Sequence, residues 1–129
     1  MEVIKKLSLT DIQDLTFEFA VKAIELHDVM QERGEKIMSS GLLKTATHIG
    51  MIVNSIDENV QAKLLLNTAQ QASKPTQACL YWLKLIERSE KASEDELADL
   101  KKNIAEIKES LMGKAKSAKS KTKIGFGNG

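Results

Sequence analysis

Apolar residues recur three and four positions apart along most of this chain, the spacing of amphipathic helices. Ile12, Leu15, Phe19, Ala23, Leu26 and Met30 form one such row, and Thr10 with Gln13 matches a capping box at its start. A second row, Phe17, Ala20, Val21 and Ile24, lies about 150° around the same helix at about 100° per residue. A helix apolar on two faces has two surfaces to cover. One is its own bundle; the other predicts a neighbouring subunit. Gly34 is expected to end this helix, since glycine takes the left-handed conformation that follows many helices.

The second helix is predicted from about Glu35 or Ser39 to Ser55, with Leu42, Leu43, Ala46, Ile49, Gly50 and Val53 as its apolar stripe. Gly50 costs about 1 kcal/mol there relative to alanine, which predicts a close helix–helix approach at this position. Asp57, Glu58 and Asn59 make a short turn, and short turns join antiparallel neighbours. The third helix is predicted over Val60 to Ser89. Ala62, Leu65, Leu66, Ala69 and Ala72 line its first half, and Cys79, Trp82, Leu83 and Ile86 its second. Pro75 lies between them and removes a backbone bond, so the pattern leaves open a kink at about Gln71–Pro75 or two separate helices.

The fourth helix has the sharpest signature. Ser93 and Glu96 form a capping box, with Glu94 and Asp95 favourably placed in its first turn. Leu97, Leu100, Ile104, Ile107 and Leu111 then form a narrow coiled-coil-like seam. Gly113 is expected to close this helix. The reading is all-α: an antiparallel up-down four-helix bundle over residues 1–113, with a disordered Lys/Gly-rich tail over residues 114–129.

Composition agrees with one helical domain. The chain has 129 residues and a single proline, enough length for one core and little to break helices. No apolar run is long enough to cross a bilayer, and Met1 to Thr10 lacks the pattern of a signal peptide. A lone cysteine, Cys79, forms no internal disulfide. These features predict a cytoplasmic protein with no membrane partner. The net charge of +1 conceals a split. The segment from 114 onward carries Lys114, Lys116, Lys119, Lys121 and Lys123 with no acid, leaving the rest of the chain net acidic.

Several short stretches resemble a known family. Phe19-Ala20 in the first helix, Leu43-Lys44-Thr45 and Thr47-His48-Ile49-Gly50 in the second, and Tyr81-Trp82-Leu83-Lys84-Leu85-Ile86 in the third are similar to signatures of bacterial four-helix-bundle proteins encoded in intervening sequences of 23S rRNA genes. Their relatives include the accessory variability determinant proteins of diversity-generating retroelements. The likeness spans Phe17 to Glu90, with Lys44 where the family usually has arginine. Met51, Ile52, Asn54 and Ser55 depart from the family pattern, and Pro75 and Ala78 stand where it usually has glutamates. The resemblance implies a homopentameric ring. For the retroelement relatives it also implies a basic surface that binds nucleic acid and partners a reverse transcriptase.

Candidate chemistry is sparse. His27 and His48 lie on different helices without other ligands at zinc spacing. Cys79 shares an apolar face with Trp82 and Ile86, the setting of a core thiol rather than a nucleophile. Tyr81 and Trp82 could stack a base or cofactor, but in a bundle such residues more often anchor the core or an interface. Glu87, Glu90, Glu94, Asp95, Glu96 and Asp99 lack calcium-loop spacing. Gly125, Gly127 and Gly129 follow no strand and precede no helix, so they make no phosphate loop. No catalytic, metal or cofactor site is expected. The candidate contacts for RNA or DNA are Lys44, Lys114, Lys116, Lys119, Lys121 and Lys123, which can neutralise phosphates. The expectation is a non-enzymatic, oligomeric nucleic-acid-binding accessory protein, with a reverse transcriptase as a candidate partner. The alternative is a structural or protein-interaction scaffold whose acidic body binds protein.

Overall fold

Ser8 begins the first helix by capping its free amides: its hydroxyl accepts from the Asp11 amide at 3.1 Å, and Asp11 Oδ2 accepts from the Ser8 amide at 3.1 Å. The cap is therefore Ser8 with Asp11, not the expected Thr10 with Gln13. Asp serves in place of the usual Glu or Gln of a capping box. In the computed structural model, which describes residues 8–57, 59 and 62–127, four helices follow one another. They are α1 (Leu9–Glu32), α2 (Lys36–Asn54), α3 (Ala62–Arg88) and α4 (Glu94–Gly127). No described helix is long and apolar enough to cross a membrane.

Successive helices pack side by side, and α4 closes the bundle against α1. Their antiparallel register is fixed by polar contacts between helices. The Asn54 amide donates to Thr16 Oγ1 at 3.3 Å, the Cys79 thiol donates to Thr45 Oγ1 at 3.1 Å, and Lys101 pairs with Glu87. Gln13 reaches across from α1 and donates to the carbonyls of Val53 and Ile56 at 3.2 and 3.0 Å. It thereby adds a second donor to the Val53 carbonyl, which also accepts from the Ile56 amide at 3.4 Å, and ties the end of α2 to α1.

The core is the set of apolar rows that the sequence pattern predicts. Ile12, Phe19, Ala23, Leu26 and Met30 meet Leu42, Ala46, Ile49 and Val53, then Ala72, Cys79, Leu83 and Ile86, and the complete α4 seam of Leu97, Leu100, Ile104, Ile107 and Leu111. Gly34 ends α1 with φ +80, a conformation that suits glycine.

The structure decides between one helix and two at Pro75, and it moves the end of α4. Helix α3 is unbroken through Pro75, which is buried. One proline removes one backbone bond, and packing of both helix halves into one core outweighs that loss; the Thr76 hydroxyl also donates to the Ala72 carbonyl at 2.7 Å. The expected start of α3 at Val60 lies outside the described residues. Gly113 does not close α4, whose backbone stays helical through Gly127. A single glycine costs about 1 kcal/mol, and the Ala/Lys-rich run beyond it favours helix. The backbone is therefore helical from Lys114 to Gly127, where a disordered segment was expected.

Candidate functional site

Charge is sorted by helix, and that sorting makes the most distinctive surface of the molecule. Helix α1 carries Asp11, Asp14, Glu18, Glu25, Asp28 and Glu32 against one lysine, Lys22, and the first turns of α4 add Glu94, Asp95, Glu96 and Asp99. Helix α2 has Lys36 and Lys44 and no acid, while α3 has Lys63, Lys74, Lys84 and Arg88 with Glu87 as its one acid. Helix α1 and the start of α4 are thus anionic and α2 and α3 cationic, while α4 beyond Asp99 carries both signs with lysine in excess, although the net charge is only +1.

The cationic side has regular spacing. Lys63, Asn67, Gln70, Lys74, Gln77, Tyr81, Lys84 and Arg88 follow at alternating intervals of four and three, a single row on the face of α3 turned from the core. All eight are exposed. Ion pairing does not neutralise this row: among the described residues, none of Lys44, Lys63, Lys74, Lys84 and Arg88 pairs with an acid, and Glu87 is held by Lys101. An open groove beside it, between α2 and α3, is lined by His48, Ile52, Asn67, Gln70, Gln71 and Lys74.

The aromatic pair divides its labour. Trp82 packs against the core, over Gly41 of α2, where an added Cβ would overlap the indole. Tyr81 meets Trp82 edge-on, with centroids 5.7 Å apart and planes at 69°, yet remains 60% exposed. Tyr81 is thus no core anchor. The close approach expected at Gly50 occurs instead at Gly41; a Cβ at Gly50 would meet only the Thr16 carbonyl at an ordinary 3.8 Å.

Of the candidate contacts predicted from the sequence, Lys44 is exposed on α2. The Cys79–Thr45 hydrogen bond brings its turn level with that of Tyr81. Lys114 is half-buried and Lys116 exposed on α4. Lys119, Lys121 and Lys123 lie on the helical backbone, with their side chains outside the described residues. The start of this stretch, at Ala115, shares a groove with Ala69, Gln70 and Ser73 of α3. Tallying charge by chain segment hides the α3 row. Tallying it by helix, with the three–four spacing, finds it.

The remaining candidates have ordinary structural roles. Cys79 is buried, and desolvation pushes its thiol up to about 12, against a smaller opposing effect of the Thr45 hydroxyl. His27 Nδ1 is hydrogen bonded to Ser39 Oγ at 2.9 Å. Among the described residues no group of three or more His, Cys, Asp or Glu is placed to hold a metal ion. The acid-rich start of α4 works as a clamp. Arg33 donates to both Glu96 oxygens at 3.0 and 2.8 Å, and the Ser93 amide donates to Glu96 Oε1 at 2.9 Å.

No family model and no curated protein matches the sequence. Among solved structures, the chain is similar to a protein of unknown function from the S23 ribosomal protein family of Bacteroides thetaiotaomicron. The TM-score is 0.75 at 24% identity, over 83% of this chain and 93% of that one. What the two share is a fold. The neighbour belongs to a family named for a ribosomal protein.

Proposed function

We propose that this chain is a non-enzymatic accessory protein that self-associates and binds nucleic acid, working beside a reverse transcriptase or another RNA-handling protein. The observation that carries the reading is the row of α3 cations, with Lys44 of α2, that pair with no acid among the described residues; the lysine-rich sequence of α4 adds positive charge. Cations without partners gain most from displacing the counterions of a polyphosphate. The resemblance to the accessory variability determinant relatives of the 23S intervening-sequence bundles points the same way.

Self-association is supported by a different surface. Phe17 is 62% and Ile24 44% exposed on α1, and Met51 is 73% exposed on neighbouring α2. Phe17 and Ile24 lie on α1, which carries none of the α3 row, so a homopentameric ring closed through α1 leaves the α3 cations in solvent. The anionic side of α1 and α4 favours the second reading, a protein-interaction scaffold.

Fluorescence anisotropy of a labelled RNA separates the two readings. The full-length chain is expected to bind at low salt and to weaken steeply as salt rises. A full-length Lys116→Gln/Lys119→Gln/Lys123→Gln variant is expected to show a shallower dependence, by up to about 0.7–0.9 for each phosphate it no longer neutralises. Absence of binding at the lowest salt would overturn the nucleic-acid reading and leave the scaffold.

A further inference from the structure

The α3 row differs from a plain cationic patch in two ways. It carries an aromatic ring at its middle, and it borders a groove rich in amides. Tyr81 is flanked along the row by Lys74 and Gln77 on one side and by Lys84 and Arg88 on the other. At about 1.5 Å rise per residue, Lys74 and Arg88 each stand about 10 Å along the axis from Tyr81. Trp82 holds the tyrosine from one edge, and the ring keeps 60% of its surface open. An exposed aromatic among unpaired cations matches the chemistry of single strands, where bases stack on rings while lysine and arginine follow the phosphates. In a duplex the bases already stack on one another, so a solvent-facing tyrosine on a convex helix has nothing to stack on.

The groove adds a second element. Asn67, Gln70 and Gln71 offer both donors and acceptors, and His48 and Lys74 border them without an acid. Amide groups of this kind can hydrogen bond to the free edges of unpaired bases, which a duplex buries in pairing.

We infer that Tyr81 is a base-stacking platform, and that the row from Lys74 to Arg88, with the α2–α3 groove, selects single-stranded over double-stranded nucleic acid. The inference rests on the nucleic-acid reading above and deepens it. The recognised chemistry is an unpaired base with flanking phosphates; RNA and DNA single strands both supply it, and the 2′-hydroxyl distinguishes them.

The test compares labelled oligo-U, oligo-dT and a duplex of the same length by anisotropy, all with the full-length chain. Single strands are expected to bind at least tenfold tighter than the duplex. Tyr81→Ala is expected to weaken single-strand binding about tenfold, in the range measured for removing one stacking partner, and to leave duplex binding unchanged. Tyr81→Phe, which keeps the ring, is expected to retain most of the affinity. Because Tyr81 is exposed, circular dichroism should show all three proteins equally folded. A ratio of oligo-U to oligo-dT affinity above one would identify RNA as the preferred source, and a ratio below one DNA; a single-strand preference in either supports the inference. Equal binding of single strands and duplex, or equal weakening of both with Tyr81→Ala, overturns it. Should Tyr81→Ala and Lys74→Glu/Lys84→Glu leave binding intact while the α4 lysine variant abolishes it, the inference falls and the broader nucleic-acid reading stands. If nothing binds, both fall.

Discussion

Gly41 lies directly beneath the indole of Trp82, so close that the smallest side chain at position 41 would occupy the space of the ring. Gly41→Ala gains up to about 1 kcal/mol of helix propensity but must displace a large aromatic packed against the core, which costs about 1–3 kcal/mol. The expected outcome is net destabilisation, with a changed tryptophan emission as the ring moves. Gly50→Ala is the control. Its Cβ meets only an ordinary contact, so it should stabilise by about 0.5–1 kcal/mol. Urea unfolding of the two variants checks both signs.

Glu96 joins the α1 C-terminus to the α4 N-terminus through Arg33. Hydrogen bonds from the Arg33 guanidinium, then from the Ser93 backbone, hold its carboxyl down at about 2. The same pairing raises the Arg33 guanidinium. In the unfolded chain a glutamate titrates near about 4.3. The folded value is the lower one, so the clamp contributes fully above that pH and is lost as pH falls from there through about 2. Glu96→Gln should be less stable than the parent at pH 7, and the difference should shrink as pH falls from about 4.3 and vanish only below about 2. Thermal melts across that range measure it. A difference independent of pH would mean that the carboxylate charge is irrelevant to the clamp.

Cys79 should behave as a buried thiol. Its folded value, about 12, lies above the about 8.5 of an unfolded cysteine. The stability linked to the neutral thiol is therefore complete below about 8.5 and declines as pH rises from there towards 12. At pH 8 a thiol reagent such as iodoacetamide should label the chain in urea and leave the native protein unlabelled. Rapid labelling without denaturant would contradict the burial.

Phe17 supplies the largest apolar surface on the outer side of α1. Phe17→Lys should change the stability of the single bundle by no more than about 0.5 kcal/mol, as exposed substitutions usually do, and should lower the mass seen by light scattering towards the 14.3 kDa of one chain. A parent protein already at that mass would remove the case for a ring.

The apolar rows of all four helices are legible in the letters alone, because a period near 3.6 is a one-dimensional signal; burial follows it except at row edges such as Leu15, Leu43, Leu65, Leu66 and Trp82, which are half-buried. Phe19, Ile49, Cys79 and Ile104 are all buried as that period requires. Helix ends are harder. Ser8 and Thr10 both begin plausible capping boxes, and only the path of the chain decides between them. Gly113 and Pro75 each carry a local penalty that packing along the neighbouring helix overrides, and local sequence does not weigh that packing. The contact of Gly41 with Trp82 joins residues far apart in sequence and has no periodic trace. The α3 row is written in the sequence too, but it shows only when charge is counted around each helix instead of along the chain.

The excess of acids on α1 and of bases on α2 and α3 makes the molecule electrically lopsided despite its near-neutral total. Such a molecule turns in the field of a polyanion before touching it, presenting α2 and α3 and turning α1 away, which speeds productive encounters and makes their rate sensitive to salt. It should also be retained, at low ionic strength and neutral pH, by both anion- and cation-exchange resins, each gripping different helices of the same bundle.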